Sequence, residues 1–215
     1  MRILIIGAGG VGSSAALIAA RRDFYDSVVI ADYDGSRAQT LAERIDDPRF
    51  SAIGLDASDA QAVAQACRSH QITHVLNVVD PRFVMSIFEG AFLAGADYLD
   101  TAMSLSSRHP EKPYELIGVK LGDDQFAFAD AWQDKGRLAL VGIGVEPGLA
   151  DVFARYAADH LFSEIDELGV RDASDIVVHG YEFAPSFSNW TVIEECLNPP
   201  VVWEKDKGWY TTEPF

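Results

Sequence analysis

The chain has 215 residues, 48% of them hydrophobic, enough for one large domain or for one domain and part of another around a real core. Its 33 acidic and 17 basic side chains leave a formal net charge of -16, which argues by repulsion against nucleic acid or an anionic membrane surface as partner. No apolar stretch approaches the ~20 residues of a bilayer span, the N-terminal apolar run is too short for a signal peptide, and Cys67 and Cys196 have neither disulfide-framework nor metal-site spacing, so a cytoplasmic protein with reduced thiols and no metal is expected.

Residues 2–6, with an apolar run of four after Arg2, predict a first strand, running straight into Gly7-Ala8-Gly9-Gly10-Val11-Gly12. A helix rich in alanine is expected over 11–22, and a second strand over 27–31 ends at Asp32. Ser36 can cap a helix that runs to about Ile45 and stops before Pro48. A third strand over 50–55 is followed by a helix opened by Ser58 or Asp59, with Val63, Ala66 and Cys67 at helical spacing. Residues 73–79 read as a fourth strand, 82–93 as a helix, and Tyr98 with Leu99 as a short fifth strand. The stretch 103–120, with two prolines, reads as a loop or lid. A helix over 123–135, carrying Phe126, Phe128 and Trp132, leads to a sixth strand over 137–141.

Strands alternating with helices at this spacing imply a parallel sheet covered on both faces, and right-handed crossovers make it doubly wound. The expected fold class is therefore α/β, with a Rossmann-type domain over 1–145. After Gly144-Val145-Glu146-Pro147-Gly148 comes another helix, and then the pattern changes. Residues 165–183 look like two strands, with Ile176, Val178 and Gly180 at alternate positions. The end concentrates Phe187, Trp190, Pro199, Pro200, Trp203, Trp209, Tyr210, Pro214 and Phe215. This reads as an incomplete, mostly antiparallel α+β second domain over 146–215, its aromatic cluster serving as core or as the interface of a homodimer.

A strand, a G-x-G-x-x-G turn, a helix, a second strand and an acid together describe a dinucleotide site. Gly7 permits the tight turn, Gly9 lets the backbone approach a pyrophosphate, and Gly12 lets the helix pack on the sheet. Gly10 and Val11 are further cofactor-binding candidates, at the N-terminus of a helix whose free N–H groups favour phosphate. Asp32, twenty residues after Gly12, is placed to accept hydrogen bonds from the adenosine ribose hydroxyls. A carboxylate there repels a 2′-phosphate, which favours NAD; Arg37 keeps NADP open.

Further candidates lie at the other strand ends. Asp56 either touches the adenine side or is a turn residue. Asn77 either contacts the nicotinamide end, with Val78, Val79, Asp80 and Pro81 beside it, or is a buried amide holding a loop. Tyr98 and Asp100 at the fifth strand are candidates to orient an amine or shuttle a proton, with capping as the alternative for Asp100. His179, Glu182, Glu194 and Glu195 are ionisable groups near aromatic residues, and a lone strand histidine such as His179 is more often structural.

Taken together, GAGGVG at 7–12, HVLNVVDP at 74–81, DYLDTA at 97–102, GIGVEPGLADVFARYAADHL at 142–161 and SNWTVIEECLNPPVVWEKDKGWYTTEPF at 188–215 resemble the saccharopine dehydrogenase-like family. The glycine motif is common to many Rossmann proteins; the 146–154 segment and the tryptophan-rich tail are far more specific. The resemblance implies NAD or NADP, a small-molecule amine or amino-acid substrate, and oxidoreduction at a C–N bond of an amino acid or polyamine. It also implies a glycine turn for the cofactor phosphates, residues 77–81 beside the nicotinamide, and Glu146, Pro147 and Gly148 near substrate. Two other activities fit the same resemblance: an aminoalkyl transferase of the homospermidine-synthase type using bound NAD, and a non-catalytic NAD-binding module. Family members continue well beyond this length, so the chain is expected to be a fragment ending inside its second domain.

Overall fold

The computed structural model describes residues 1–171, 175, 177–182, 192–193 and 196–214. Ile176, Phe187, Trp190, Glu194, Glu195 and Phe215 lie outside the described residues. The chain divides into two compact units, Met1–Leu105 with Leu121–Arg155, and Ser106–Lys120 with Tyr156–Phe215.

The first unit is built on six parallel strands: β1 (Arg2–Ile6), β2 (Ser27–Asp32), β3 (Phe50–Gly54), β4 (His74–Asn77), β5 (Asp97–Asp100) and β6 (Ala139–Leu140). Their order is β3-β2-β1-β4-β5-β6, the doubly wound arrangement. Side-chain alternation in β1 and β2 feeds two core layers. Leu4, Ile6, Val29 and Ala31 face one side with Val75 and Tyr98, whereas Ile5, Val28 and Ile30 face the other. The helices α1 (Gly10–Ala19) and α2 (Gly35–Ile45) cover the second layer through Ala16, Ala38 and Leu41. The first layer is covered by α3 (Ala60–Ser69) and α4 (Val84–Ala94), through Val63, Cys67, Ile87 and Phe88. Burial pushes the Cys67 thiol up to about 11, so it sits there as a neutral, small apolar group.

Gly90 sets the approach of α4 to α3. A Cβ at this position would stand 2.6 Å from Val63 Cβ and 2.8 Å from the Ala60 carbonyl. For Gly90→Ala, overpacking of about 1–3 kcal/mol opposes a gain in helix propensity of about 1 kcal/mol. The clash is with backbone as well as side chain, so it wins. The expected result is a thermal midpoint lower by up to roughly 8 °C, at about 2–4 °C per kcal/mol for a chain of this size, measured by far-UV circular dichroism.

Boundaries differ from the sequence expectation where tight turns intervene. The first helix closes at Ala19, since the Arg21 and Arg22 N–H groups bond three residues back, to Ile18 and Ala19. The helix expected over 123–135 is two, α5 (Asp123–Phe126) and α6 (Ala129–Asp134), separated where the Phe128 N–H bonds to the Gln125 carbonyl. Gln125 and Trp132, seven residues apart and so on one helical face, both stay buried across that break. Strand β6 is short because Gly142 turns away with φ +69.

In the second unit, β7 (Val201–Glu204) and β8 (Gly208–Thr211) form an antiparallel hairpin that pairs Trp203 with Trp209. The stretch 106–120 is no open lid. Ser107 bridges Val119, and Arg108 donates from Nε to Asn198 Oδ1 (3.0 Å) and from Nη2 to the Leu197 carbonyl (2.9 Å). The two strands expected over 165–183 do not form among the described residues. Gly180 adopts φ +91 and the Tyr181 N–H closes a turn on the Val178 carbonyl, which ends any extended run there. The helix α7 (Leu149–His160) follows the 142–148 loop. Among the described residues no helix is long and apolar enough to cross a membrane.

Candidate functional site

Strand β1 lies at the centre of the sheet; the chain steps outward through β2 and β3, then returns to β4 on the other side of β1. Ligands on such sheets bind outside the carboxyl ends where the order reverses, here between β1 and β4. Ile6 and Asn77 are register partners at that point. The residues leaving the two strands meet at once: a Cβ on Gly7 would stand 2.7 Å from Val79 Cγ1 and 3.0 Å from the Val78 carbonyl oxygen. Gly7 also needs its φ of +110, which L side chains rarely adopt. Gly12 is required by packing, since a Cβ there would fall 1.7 Å from the Gly7 carbonyl oxygen.

Gly9 is different. Its φ of -74 and ψ of -162 suit any residue, and beyond its chain neighbours no protein atom comes within 4 Å of where a Cβ would lie. Serine, threonine or aspartate would cap α1 better, yet Gly9 supplies no side-chain cap. The glycine therefore leaves open space directly over the first turn of α1, with Gly10 and Val11 exposed beside it. That is the space a phosphate group needs to reach helix N–H donors, so the turn fits a dinucleotide pyrophosphate.

Asp32 ends β2 beside this turn. Its Oδ2 accepts the Ala8 N–H at 2.8 Å, its Oδ1 accepts the Asp34 N–H at 3.0 Å, and Arg37 Nη1 stands 3.8 Å from Oδ2. The carboxylate thus ties the glycine turn to the second strand as well as presenting charge at its rim. Asp56 is exposed and organises its own turn: Oδ1 accepts the Ser58 N–H (2.9 Å) and hydroxyl (2.6 Å), which hold its carboxyl below the usual range. Asp80 likewise accepts from Arg82 and caps the turn that carries Pro81.

The remaining candidates at this end form one buried network. Asn77 Oδ1 accepts the Val79 N–H (3.2 Å) and Asn77 Nδ2 donates to the Tyr98 hydroxyl (2.9 Å). Tyr98 donates to Asp100 Oδ2 (2.9 Å), which also accepts from Gln125 Nε2 (2.8 Å), while Asp100 Oδ1 accepts the Gly142 N–H (2.7 Å). Asp100 is 0% exposed and Tyr98 2%. Burial and the adjacent Asp100 charge push the phenol of Tyr98 well above its ordinary range. Any role of these two in orienting an amine or carrying a proton would therefore run through this network, since both side chains are buried. Gln125, whose Oε1 accepts the Ser104 N–H at 2.8 Å, was absent from the sequence expectation. No motif marks it; it reaches Asp100 from 25 residues away.

The 142–148 loop follows β6. Ile143 N–H bonds to the Asp100 carbonyl, Gly144 N–H to the Pro147 carbonyl, and Leu149 N–H to the Gly144 carbonyl. The Glu146–Pro147 peptide is cis, and Gly148 has φ +130, with a Cβ position 2.5 Å from the Gly144 oxygen. Asp151 accepts the Gly148 N–H (2.9 Å), and Glu146 is left exposed at the loop surface. His179 and Glu182 lie in the other unit, both exposed.

A family model described as the saccharopine dehydrogenase NADP binding domain matches residues 3–140. The chain belongs to this family. The saccharopine dehydrogenase NADP-binding domain thus spans all six strands, and the cofactor class is NAD(P). Among curated proteins, the chain is 28% identical over its whole length to a carboxyaminopropylagmatine dehydrogenase from Synechocystis, covering 51% of that protein. It is 32% identical over 95% of its length to a carboxynorspermidine synthase from Vibrio alginolyticus, covering 50% of that protein. The chain spans about half the length of these relatives. The structure of an L-Glu-forming saccharopine dehydrogenase from Saccharomyces cerevisiae superposes with a TM-score of 0.56 at 19% identity, over 74% of this chain and 31% of that one. At that identity the likeness shows the fold of this saccharopine dehydrogenase NADP-binding domain.

Proposed function

We propose that this chain carries the dinucleotide-binding part of an NAD(P)-dependent oxidoreductase acting on a C–N bond of an amino acid or polyamine. The observation that carries the reading is Gly9, a glycine that neither backbone conformation nor protein packing requires, placed over an uncapped helix start. The curated relatives are named for carboxylated polyamines and supply the substrate class.

In this reading Gly7, Gly9, Gly10, Val11 and Gly12 bind the cofactor phosphates through backbone N–H groups. Asp32 accepts from the adenosine ribose and favours NAD over NADP, Asp56 borders the adenine, and Asn77, Val78, Val79 and Pro81 wall the nicotinamide end. When bound, the nicotinamide supplies or accepts a hydride. The exposed carboxylate of Glu146, with Pro147 and Gly148 shaping its loop, attracts a cationic amine to the same end of the sheet. Free Cys67 and Cys196 support a cytoplasmic location, and the exposed, cross-paired Trp203 and Trp209 support a homodimer.

The test is fluorescence titration of the protein with NADH and NADPH, followed by nicotinamide absorbance with lysine, saccharopine and polyamines. Saturable binding with amine-dependent turnover is expected. Amine transfer without net change in nicotinamide absorbance would instead indicate the aminoalkyl transferase, and binding without reaction on any amine a binding module.

A further inference from the structure

We infer that Asp100 is a positioning residue for the dinucleotide: one buried carboxylate that locks the 78–81 turn and the 142–148 loop to the end of β5. The inference rests on the reading of the β1–β4 crevice as a nicotinamide dinucleotide site.

Both oxygens of Asp100 accept, from the Tyr98 hydroxyl, the Gln125 amide and the Gly142 N–H, and all three donors are neutral. No cation pairs with it among the described residues. Burying a carboxylate without a cation is costly, and an apolar residue at this strand end would avoid the cost. What the carboxylate supplies, and leucine cannot, is directed hydrogen bonds within its own strand and to two other segments.

Each bond also fixes the next. Because Tyr98 donates to Asp100, its hydroxyl oxygen is left to accept from Asn77 Nδ2, and this orients the Asn77 amide so that Oδ1 faces the Val79 N–H. Val79 is the residue whose side chain abuts Gly7 across the crevice. On the other side, Asp100 holds Gly142 by its side chain and Ile143 by its carbonyl, so the start of the Glu146 loop is set by the same residue. Gln125 brings the Ser104 backbone into the same lock. Loss of Asp100 or of the Tyr98 hydroxyl leaves buried donors unpaired and frees the nicotinamide side of the crevice. The glycine turn and Asp32, on the other side, keep their own contacts.

Tyr98→Phe and Asp100→Asn separate these sides. The probes are whichever of NADH or NADPH the wild-type protein binds more tightly, and its nicotinamide-free counterpart, ADP-ribose or 2′-phospho-ADP-ribose. Both variants should raise the Kd for the whole dinucleotide by about tenfold, the effect of unpairing a buried polar group, while Kd for the ribose probe changes by less than about twofold. Equal weakening of both probes would show a general loss of structure, and unchanged binding of both would show no coupling; either overturns the inference. If Asp100→Asn does not fold, Tyr98→Phe, which keeps the ring and removes a single hydroxyl, carries the test. Wild-type protein that binds none of these probes would overturn the dinucleotide reading itself, and the positioning role with it.

Discussion

Gly9→Val should leave the protein folded and cost it roughly 100-fold or more in dinucleotide affinity, about 2.7 kcal/mol or more. The two halves of this result have separate causes. Valine accepts the φ of -74 found at Gly9, and no atom beyond its chain neighbours lies within 4 Å of its Cβ position, so the loss of stability should be that of a poorer N-cap, about 1 kcal/mol, which leaves the fold intact. The isopropyl group then occupies the space over the first turn of α1, where a pyrophosphate must come close to helix N–H groups. Circular dichroism melting and NADH or NADPH titration read the two halves independently. Gly12→Val is the contrast: with a Cβ position 1.7 Å from the Gly7 carbonyl oxygen, it should damage folding and binding together. Tight binding by Gly9→Val would remove the pyrophosphate from this turn.

The second large effect concerns cofactor choice. Asp32→Ser should move the ratio of NADPH to NADH affinity toward NADPH by about tenfold or more, because it removes a carboxylate that accepts from ribose hydroxyls and repels a 2′-phosphate. Arg37, 3.8 Å from the Asp32 carboxylate, is then released to meet the added phosphate. Asp32 also accepts the Ala8 N–H, so affinity for both cofactors should fall. The ratio cancels that shared loss, which is why it is the quantity to measure. A wild-type preference for NADPH would reverse the assignment of NAD, and an unchanged ratio in Asp32→Ser would take Asp32 out of cofactor discrimination.

The parts of this fold that could be read from the sequence are those where function depends on neighbours in the chain. Gly7, Gly9 and Gly12 sit within one turn, and the acid that serves them ends the next strand, so local spacing alone places all four. The strands were legible for the same reason, since β1, β2 and β4 fall in β-branched runs and all six are bounded by helices or turn residues. Asp100 was found, but its burial was not. A carboxylate at a strand end looks the same whether it faces a crevice or a packed interior, and its partners Gln125 and Gly142 lie 25 and 42 residues away. The division of the 123–135 helix escaped notice because Gln125 and Trp132, seven residues apart, keep one buried face across it, so the burial pattern shows no interruption. Apolar alternation around Val178 suggested strands, but Gly180 at positive φ takes the chain out of extension.

The chain visits its two units in alternation, and this has a consequence for biosynthesis. Ser106–Lys120 leaves the ribosome in the middle of the first unit, yet Arg108 finds its partners Leu197 and Asn198 only 89 and 90 residues later. The parallel sheet can close once β6 has emerged, with this segment still waiting as a tethered loop between β5 and α5. Completion of the second unit then pays the entropy of closing a long loop, which makes it the slower of the two to assemble. In a growing polypeptide the nucleotide-binding half is therefore ready before the segment inserted in its sequence has its own partners.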